Sequence, residues 1–491
     1  MPQPSTYQTK GGMVYRRRLL PAEPSPGDLR AVVEDYQTML VSVMTAIAER
    51  YERRPDYPYI DTKLSLLTGE DFREDDQRRG PGSIYGWIQG RGLEALVEHC
   101  LWWRAHPEIE EGAALIPRLE RIMREVLARL RSLRRQNGVH LFFLMTPEGE
   151  PFVLNEAQQR VPLTAWSSEV YCFADLFCAK GIFAAGVYLE DAEAQKEGEE
   201  YARLVQEAIL DRRFAANERN CPPNEGPQPN PHRRGHGPYM IQLGTAALMC
   251  RFGTSPDPYW INAGLALLRH IMEHHVNIND RMPGLLPGDY WEEIDAAGRP
   301  YVDQGALLSN PGHSIEVTGL GLKFIQAAKS SAALRAAPGA ALGPTERRTL
   351  DEMEKVLPLI FLRNFTNGFL PEVGGICEFY DLYSRTPRSP HMPWWSLPES
   401  IRAAAEAWEV LAKNGAGADA AAPYLKALSA AHNAFARHYV RTDLMLMAYQ
   451  TRGTDGLPVD HIPATADADP GYHTGASIID FLRIVERSCP R

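Results

Sequence analysis

Apolar residues recur at three- and four-residue spacing through most of the chain, in stretches separated by short runs of Gly and Pro. This pattern predicts twelve amphipathic helices, at roughly 28–52, 84–104, 109–136, 165–187, 190–213, 236–253, 257–276, 312–330, 344–364, 395–413, 418–441 and 472–487. Asn137-Gly138 and Asn414-Gly415 read as stops, and Pro311-Gly312 and Pro398 as starts. Between the helices the alternation shortens to strand-like hairpins. One runs from His140 to Leu144 and returns from Pro151 to Leu154. A second runs from Gly284 through Trp291 to Asp295 and returns over Arg299 to Val302, and a third spans Gly368 to Phe379.

Strands and helices never alternate in a βαβ rhythm, which argues against a parallel sheet. Twelve helices with intervening hairpins suit six helical hairpins closed into a toroid, an all-α (α/α)6 barrel. The alternative is an open solenoid, whose stacked pairs would repeat with a fixed period, and the sequence shows no internal repeat. The alanine-rich stretches Ala332 to Leu342 and Ala416 to Ala422 read as helix-end loops rather than domain linkers. One catalytic domain over residues 1–491 is expected, with residues 1–27 as an N-terminal extension.

The net charge of −10 disfavours a nucleic-acid or anionic-membrane partner, both of which need a basic surface. The basic clusters Arg16 to Arg18 and Arg131 to Arg135 are short enough to be solvated faces. The seven cysteines are odd in number and form no CxxC pair, so neither a disulfide framework nor a zinc ribbon is expected. The polar start MPQPSTYQTKGG lacks the apolar centre of a signal peptide, and no apolar run is long enough to span a bilayer. A cytoplasmic protein is the expectation.

Four segments place unusual polar groups where a helix begins: Gly86-Trp87-Ile88-Gln89-Gly90-Arg91, Asn310-Pro311-Gly312-His313-Ser314-Ile315-Glu316, Pro393-Trp394-Trp395-Ser396-Leu397-Pro398-Glu399 and Pro470-Gly471-Tyr472-His473. Singly, each has a structural explanation: a surface arginine, a capping histidine, a core tryptophan pair. Taken together and in this order, the set resembles the N-acylglucosamine 2-epimerase superfamily, which also includes renin-binding proteins, cellobiose 2-epimerases, and mannose and sulfoquinovose isomerases.

The resemblance covers roughly residues 30–487 and implies an (α/α)6 barrel. It implies His313, His473, Glu316 and Glu399 as catalytic residues and Arg91 as a substrate-binding group. Trp87, Trp394 and Trp395 would offer flat faces to a sugar ring, and Tyr85, Trp291 and Asp289 are further candidates for the substrate pocket. The implied reaction is proton removal and return at C2 of an opened sugar, on the two faces of an enediolate, without cofactor or metal. The implied partner is a small-molecule sugar, with a homodimer as a compatible assembly.

Three positions depart from the family's pattern. Ala476 stands where an arginine usually follows the C-terminal histidine, Met392 where a lysine usually precedes the tryptophan pair, and Ile241 where some branches carry a third histidine. These changes touch groups that orient the substrate.

Three other readings stay open. An aldose–ketose isomerase would use the same acid/base groups. A glycoside hydrolase or lyase on the same barrel would pair Glu316 with Glu399 or Asp289. A sugar- or protein-binding module would use the pocket without turnover. The run His270-Ile271-Met272-Glu273-His274 also fits the HxxEH pattern of inverted zinc peptidases, without a convincing third ligand downstream.

Overall fold

The structure, a computed structural model, describes residues 6–253, 257–278, 281–331, 344–461 and 468–489. The chain opens with a short helix α1 (Pro26–Ala31) and then α2 (Val33–Glu52), α3 (Gly86–Ala105), α4 (Glu110–Gln136), α5 (Phe173–Tyr188) and α6 (Ala192–Leu210). It continues through α7 (Gly237–Phe252), α8 (Tyr259–His274), α9 (Pro311–Ser330), α10 (Pro344–Gly368), α11 (Ser396–Lys413) and α12 (Ala418–His438). A π-helical turn (Tyr472–Ala476) then leads into α13 (Ser477–Ser488).

Burial sorts these helices into two rings. On α5, every residue from Ala174 to Gly186 is buried, so the helix has protein on all sides. On α4, burial falls on Leu115, Leu119, Ile122, Met123, Val126, Leu127, Leu130 and Leu133, one stripe at three- and four-residue spacing. The first kind forms an inner ring, in which α3 packs on α5, α5 on α7, α7 on α9, α9 on α11, α11 on α13, and α13 back on α3. The second kind lies outside it as hairpin partners: α4 on α3, α6 on α5, α8 on α7, α10 on α9 and α12 on α11. The sixth pair joins the chain ends, with Tyr36 of α2 edge-on to Phe481 of α13 at 5.6 Å. The ring therefore closes as an (α/α)6 barrel.

Closure depends on close helix approach at a few points. A Cβ added to Gly90 would lie 2.4 Å from the backbone of Phe177, and one at Gly181 equally close to the carbonyl of Gly90. Glycine at both positions brings α3 and α5 together backbone to backbone.

The N-terminal segment straps the outside. Thr9 donates to Glu111 on α4 at 2.7 Å, while Asn433 and Ser429 on α12 hold the backbone of Leu20 and Pro21. Among the basic clusters, Arg131 and Arg134 tie α4 to α6 through Glu197, and Arg18 donates to Asp35. All seven cysteines are buried and unpaired. Among the described residues no helix is long and apolar enough to cross a membrane.

Several boundaries differ from expectation. The stretch 28–52 is two helices, broken at Val32. The helix expected from about 165, α5, starts at Phe173 instead, because Asp175 caps it: the carboxylate accepts from the Cys172 N–H at 2.8 Å and from Tyr201 and Leu141 on neighbouring elements. The first predicted hairpin is reduced to a single bridge between Met145 and Pro151. Leu144–Met145 instead pairs with Ile84–Tyr85, and Phe152–Leu154 with Arg160–Pro162. In the second, Glu293–Asp295 pairs chiefly with Arg233–Gly235. The third forms as expected, Phe369–Leu370 on Gly375–Ile376. The stretch Ala416 to Ala422 mostly opens α12, and Ala332 to Leu342 lies outside the described residues.

Candidate active site

All six inner helices begin at the same end of the barrel, around a cavity of about 320 Å³. Trp87 and Arg91 reach it from α3, Phe173 and Phe177 from α5, Pro238 and Ile241 from α7, and His313 and Glu316 from α9. Trp394 and Trp395 line it just before α11, and His473 from the π-turn. Each helix N-terminus carries the positive end of its dipole, although N–H groups at the starts of α5, α9 and the π-turn are already taken by Glu218, Asn310 and Asp469. Six of them around one small cavity favour a negative charge that develops inside it.

His313 is the third residue of α9. Asn310 caps the helix by accepting from the His313 N–H at 3.2 Å, and Pro311 occupies the first turn. The imidazole Nδ1 lies 2.9 Å from Glu292 Oε1, while the other carboxylate oxygen of Glu292 lies 3.1 Å from His236 Nε2. Burial opposes ionisation of Glu292, but the two imidazoles outweigh it and hold its carboxyl well below the usual range. Burial likewise works against a charged His313, but Glu292, with Glu316 and Glu378 behind it, raises its pKa above the ordinary value.

His473 is built the same way on the π-turn that leads into the last inner helix. Its Nδ1 lies 2.8 Å from Glu399 Oε1, which also accepts from Ser477 Oγ at 2.7 Å, and Arg402 binds the other oxygen. Burial penalises the Glu399 carboxylate, yet Arg402 and the hydrogen bonds from His473 and Ser477 keep it ionised, well below its ordinary pKa. The π-turn that carries His473 starts from Gly471 at φ +85° and is pinned by Asp469, which accepts from the N–H groups of Tyr472 and Thr474. Neither His313 nor His473 has a protein hydrogen-bond partner at Nε2 among the described residues. Trp395 stands beside both, stacked on the His313 ring at 5.2 Å and tilted to that of His473 at 5.7 Å.

Arg91 lies over three aromatic rings, those of Phe177 (4.1 Å), Trp87 (5.3 Å) and Tyr472 (5.3 Å). Its Nε is buried without a partner, so the guanidinium is held by ring faces with a donor left over. Trp87 is fixed in turn by Glu218, which accepts from its indole N–H and from the Ala174 N–H. Glu316 is nearly fully buried, lines the cavity, and forms no hydrogen bond among the described residues.

The structure thus brings together His313, His473, Glu316, Arg91, Trp87, Trp394 and Trp395, with Glu399 directly behind His473. Three candidates lie elsewhere. Tyr85 is buried against Phe143, with Lys63 over its ring and its hydroxyl on the Arg78 carbonyl. Trp291 belongs to a separate small core with Leu285, Ile294, Leu307 and Leu382. Asp289 is fully buried and consumed by Arg385, Asn367 and the Leu286 N–H. In the HxxEH run, His270 stacks flat on Tyr239 at 3.8 Å and His274 Nδ1 lies 3.1 Å from the Gly298 carbonyl, so both rings have protein contacts of their own.

Sequence reasoning missed Glu292, His236 and Arg219. Arg219 lines the cavity and covers Trp87 at 5.2 Å. Glu292 was within reach as the residue after Trp291 in the second hairpin, and His236 as the residue before the Gly237-Pro238 helix start. At the departures, Ile241 does line the cavity, whereas Met392 is buried behind the tryptophan pair, against Gly375. Ala476 puts no arginine on the π-turn, and Arg402 of α11 grips Glu399.

The fold and site define an (α/α)6 barrel with a histidine-lined cavity at the start of its inner helices. Solved structures of this architecture match the chain over most of its length. A D-mannose isomerase aligns at 13% identity over 90% of this chain and 97% of its own, with a TM-score of 0.59. A cellobiose 2-epimerase from Bacillus thermoamylovorans aligns at 13% identity, over 90% and 99%, with a TM-score of 0.54. A possible GH105 member from Salmonella enterica aligns at 11% identity, over 93% and 94%, with a TM-score of 0.50. No protein-family model and no curated protein sequence matches the chain. At such identities the likeness is one of fold.

Proposed function

We propose that the protein is a sugar 2-epimerase that moves a proton at the carbon beside the carbonyl of an opened aldose, using His313 and His473. The observation that carries this reading is the pair of imidazoles, each with Nδ1 on a carboxylate and, among the described residues, Nε2 without a protein partner, on different walls of one cavity. An acid/base pair that exchanges protons near neutrality needs side chains whose pKa lies there, and imidazole is the one whose unperturbed value does. Groups on two faces of a planar enediolate allow removal from one side and return to the other. Arg91 and the helix N-termini stabilise the developing oxyanion. Glu316 accepts from a sugar hydroxyl, and Trp395 gives the ring a flat apolar seat. The structural likeness to a D-mannose isomerase and a cellobiose 2-epimerase supports a carbohydrate as substrate.

The hydrolytic reading fits less well. Glu399 is the carboxylate it would have to draft, yet both of its oxygens are taken, Oε1 by His473 and Ser477 and Oε2 by Arg402. Glu399, bound to Arg402, cannot donate a proton to a leaving group. Incubating the protein with free aldoses in heavy water and reading proton NMR tests the proposal. The expected outcome is deuterium at C2 in both epimers. A ketose product would move the assignment to the aldose–ketose isomerase, and release of a sugar from a glycoside without exchange at C2 would overturn it.

The pH profile provides a second check. Glu292 raises the His313 pKa, so Glu292→Gln lets it fall. The limb of the kcat/KM profile that belongs to His313 should then move to lower pH: the alkaline limb if its protonated form is the acid, the acidic limb if its neutral form is the base. A profile with both limbs unmoved would take Glu292 and His313 out of the proton path.

A further inference from the structure

The charged groups on the cavity wall differ in how far each is already answered. Of the carboxylates, Glu292 lies between His236 and His313, and Glu293 is paired with Arg233. Glu378 accepts from Ser389 at 3.0 Å, and Asp469 from the N–H groups of the π-turn. None of these partners is one of the two arginines that line the cavity. Arg91, from α3, and Arg219, from the segment between α6 and α7, meet instead at one indole. Their guanidinium centres stand 5.3 and 5.2 Å from the Trp87 ring centre.

The surroundings of this pair are aromatic. Arg91 also lies over Phe177 at 4.1 Å and Arg219 over Phe143 at 5.3 Å. Arg91 forms no ion pair among the described residues, and its Nε is buried without a partner. The acid beside Arg219 is Glu218, whose oxygens accept from the Trp87 indole N–H and the Ala174 N–H. Burial pushes that carboxyl up to about 7, so near neutrality it offsets only part of the positive charge. Burial is also what most opposes the charge of Arg219. Glu218 supports that charge, Arg91 and Arg78 oppose it, and the guanidinium pKa falls below its ordinary value. A guanidinium nonetheless stays protonated near neutrality. Two like charges on one apolar wall cost free energy that an incoming anion relieves.

We propose that the substrate is an aldose that carries a carboxylate, a uronic acid, and that Arg219 binds this carboxylate at the end of the sugar remote from its carbonyl. The proposal rests on the epimerase reading for the other end, where Arg91 and the two histidines act. A carboxylate suits the site in two respects. Its two oxygens match the flat fork of a guanidinium, which donates two parallel N–H bonds. It also brings a single negative charge, whereas a phosphate dianion would meet stronger repulsion from the carboxylates on the rest of the wall. Trp87 sets the register, since one ring braces both the arginine of the carbonyl end and the arginine of the carboxylate end. Arg219 therefore selects the substrate, and no proton-transfer step passes through it.

The test compares D-glucuronate, D-galacturonate and D-mannuronate with D-glucose, D-galactose and D-mannose on the full-length protein. Calorimetric titration reads affinity, and deuterium exchange at C2 in heavy water reads turnover. At least one uronate should bind at least about 10-fold more tightly than the neutral aldose of the same configuration, the scale of one hydrogen-bonded charge pair. In Arg219→Gln that ratio should fall to near one. In Arg219→Lys, which keeps the charge without the fork, it should lie between the two, with circular dichroism unchanged in both variants. A wild-type protein that gives no uronate an advantage overturns the proposal, whatever the exchange shows. So does a ratio that survives in Arg219→Gln. A ratio that depends on Arg219, with no deuterium at C2 of any of these sugars, keeps the carboxylate site and removes the epimerase reading instead.

Discussion

His313→Ala and His473→Ala are each expected to lower kcat by at least about 10²-fold, the usual scale for loss of a general acid or base. KM should change less, because a proton-transfer group acts mainly in the transition state. The geometry sharpens this beyond a statement that histidines matter. Each ring has its Nδ1 occupied by a carboxylate, so its position and tautomer are set before substrate arrives. A histidine that only filled space or capped a helix would instead cost stability and leave the folded fraction active. Thermal melts run beside single-turnover rates on the same samples separate the two cases. A variant that melts like the wild type and exchanges no deuterium supports the acid/base role. One that melts early but keeps its rate when folded removes that histidine from the mechanism. The pair also reports on reaction type. In a two-base epimerase, one variant still exchanges the C2 proton of one epimer with solvent without converting it, whereas a one-base isomerase loses exchange wholly with one histidine and only partly with the other.

The barrel was legible because its signal is local and repeated. Periodicity marks α4 through its leucine stripe, and Pro or Gly marks the starts of α7 and α9. The cavity lining was legible for a related reason: His313, Glu316, Trp394, Trp395 and His473 lie in segments at or near the inner helix starts, each explicable singly by structure and singled out only by the resemblance of the whole set. What escaped is what depends on long-range pairing. Glu292 reaches His313 because Glu293–Asp295 pairs with Arg233–Gly235 and the Glu292 N–H donates to Leu308. Nothing within the second hairpin foretells either partner. Tyr85 and Trp291 were misplaced because an aromatic beside a motif looks the same in sequence whether it faces a cavity or a core. Asp289 was misplaced because its partner Arg385 lies 96 residues away. Arg402 did leave a local signal that went unread: it follows Glu399 by three residues on one helix, the spacing at which a carboxylate and a guanidinium meet.

Arg402→Met is expected to be the most destabilising substitution among the residues discussed, at about 3–5 kcal/mol, the cost of leaving buried charge without its partner. Arg402 is almost fully buried, binds Glu399 and lies 4.0 Å from Asp480. Burial disfavours its charge, but Glu399, Glu406, Asp480 and Glu316 surround it and raise its pKa. Lys323, 2.7 Å from Asp480, cannot replace it at Glu399. Glu406 marks how tight the balance is, since burial pushes its carboxyl well above the ordinary range even with Arg402 present. The pH dependence has a definite sign. Glu399 is depressed in the folded protein, so its contribution to stability is present above its ordinary pKa of 4.5 and is lost as pH falls through the folded value. Without Arg402 that contribution is gone at neutral pH, and protonation relieves the bare carboxylate on acidification. The gap in unfolding free energy between wild type and Arg402→Met should therefore be widest near neutrality and narrow as the pH drops below about 5. Urea melts at several pH values measure this. The double variant Arg402→Met/Glu399→Gln supplies the discriminating arm, because removing the carboxylate removes the reason for the arginine. Recovery of a substantial part of the lost stability identifies unpaired charge as the cause. Strict additivity of the two substitutions would show that Arg402 acts by filling volume between α9 and α11, and that Glu399 is held in place by His473 and Ser477 alone.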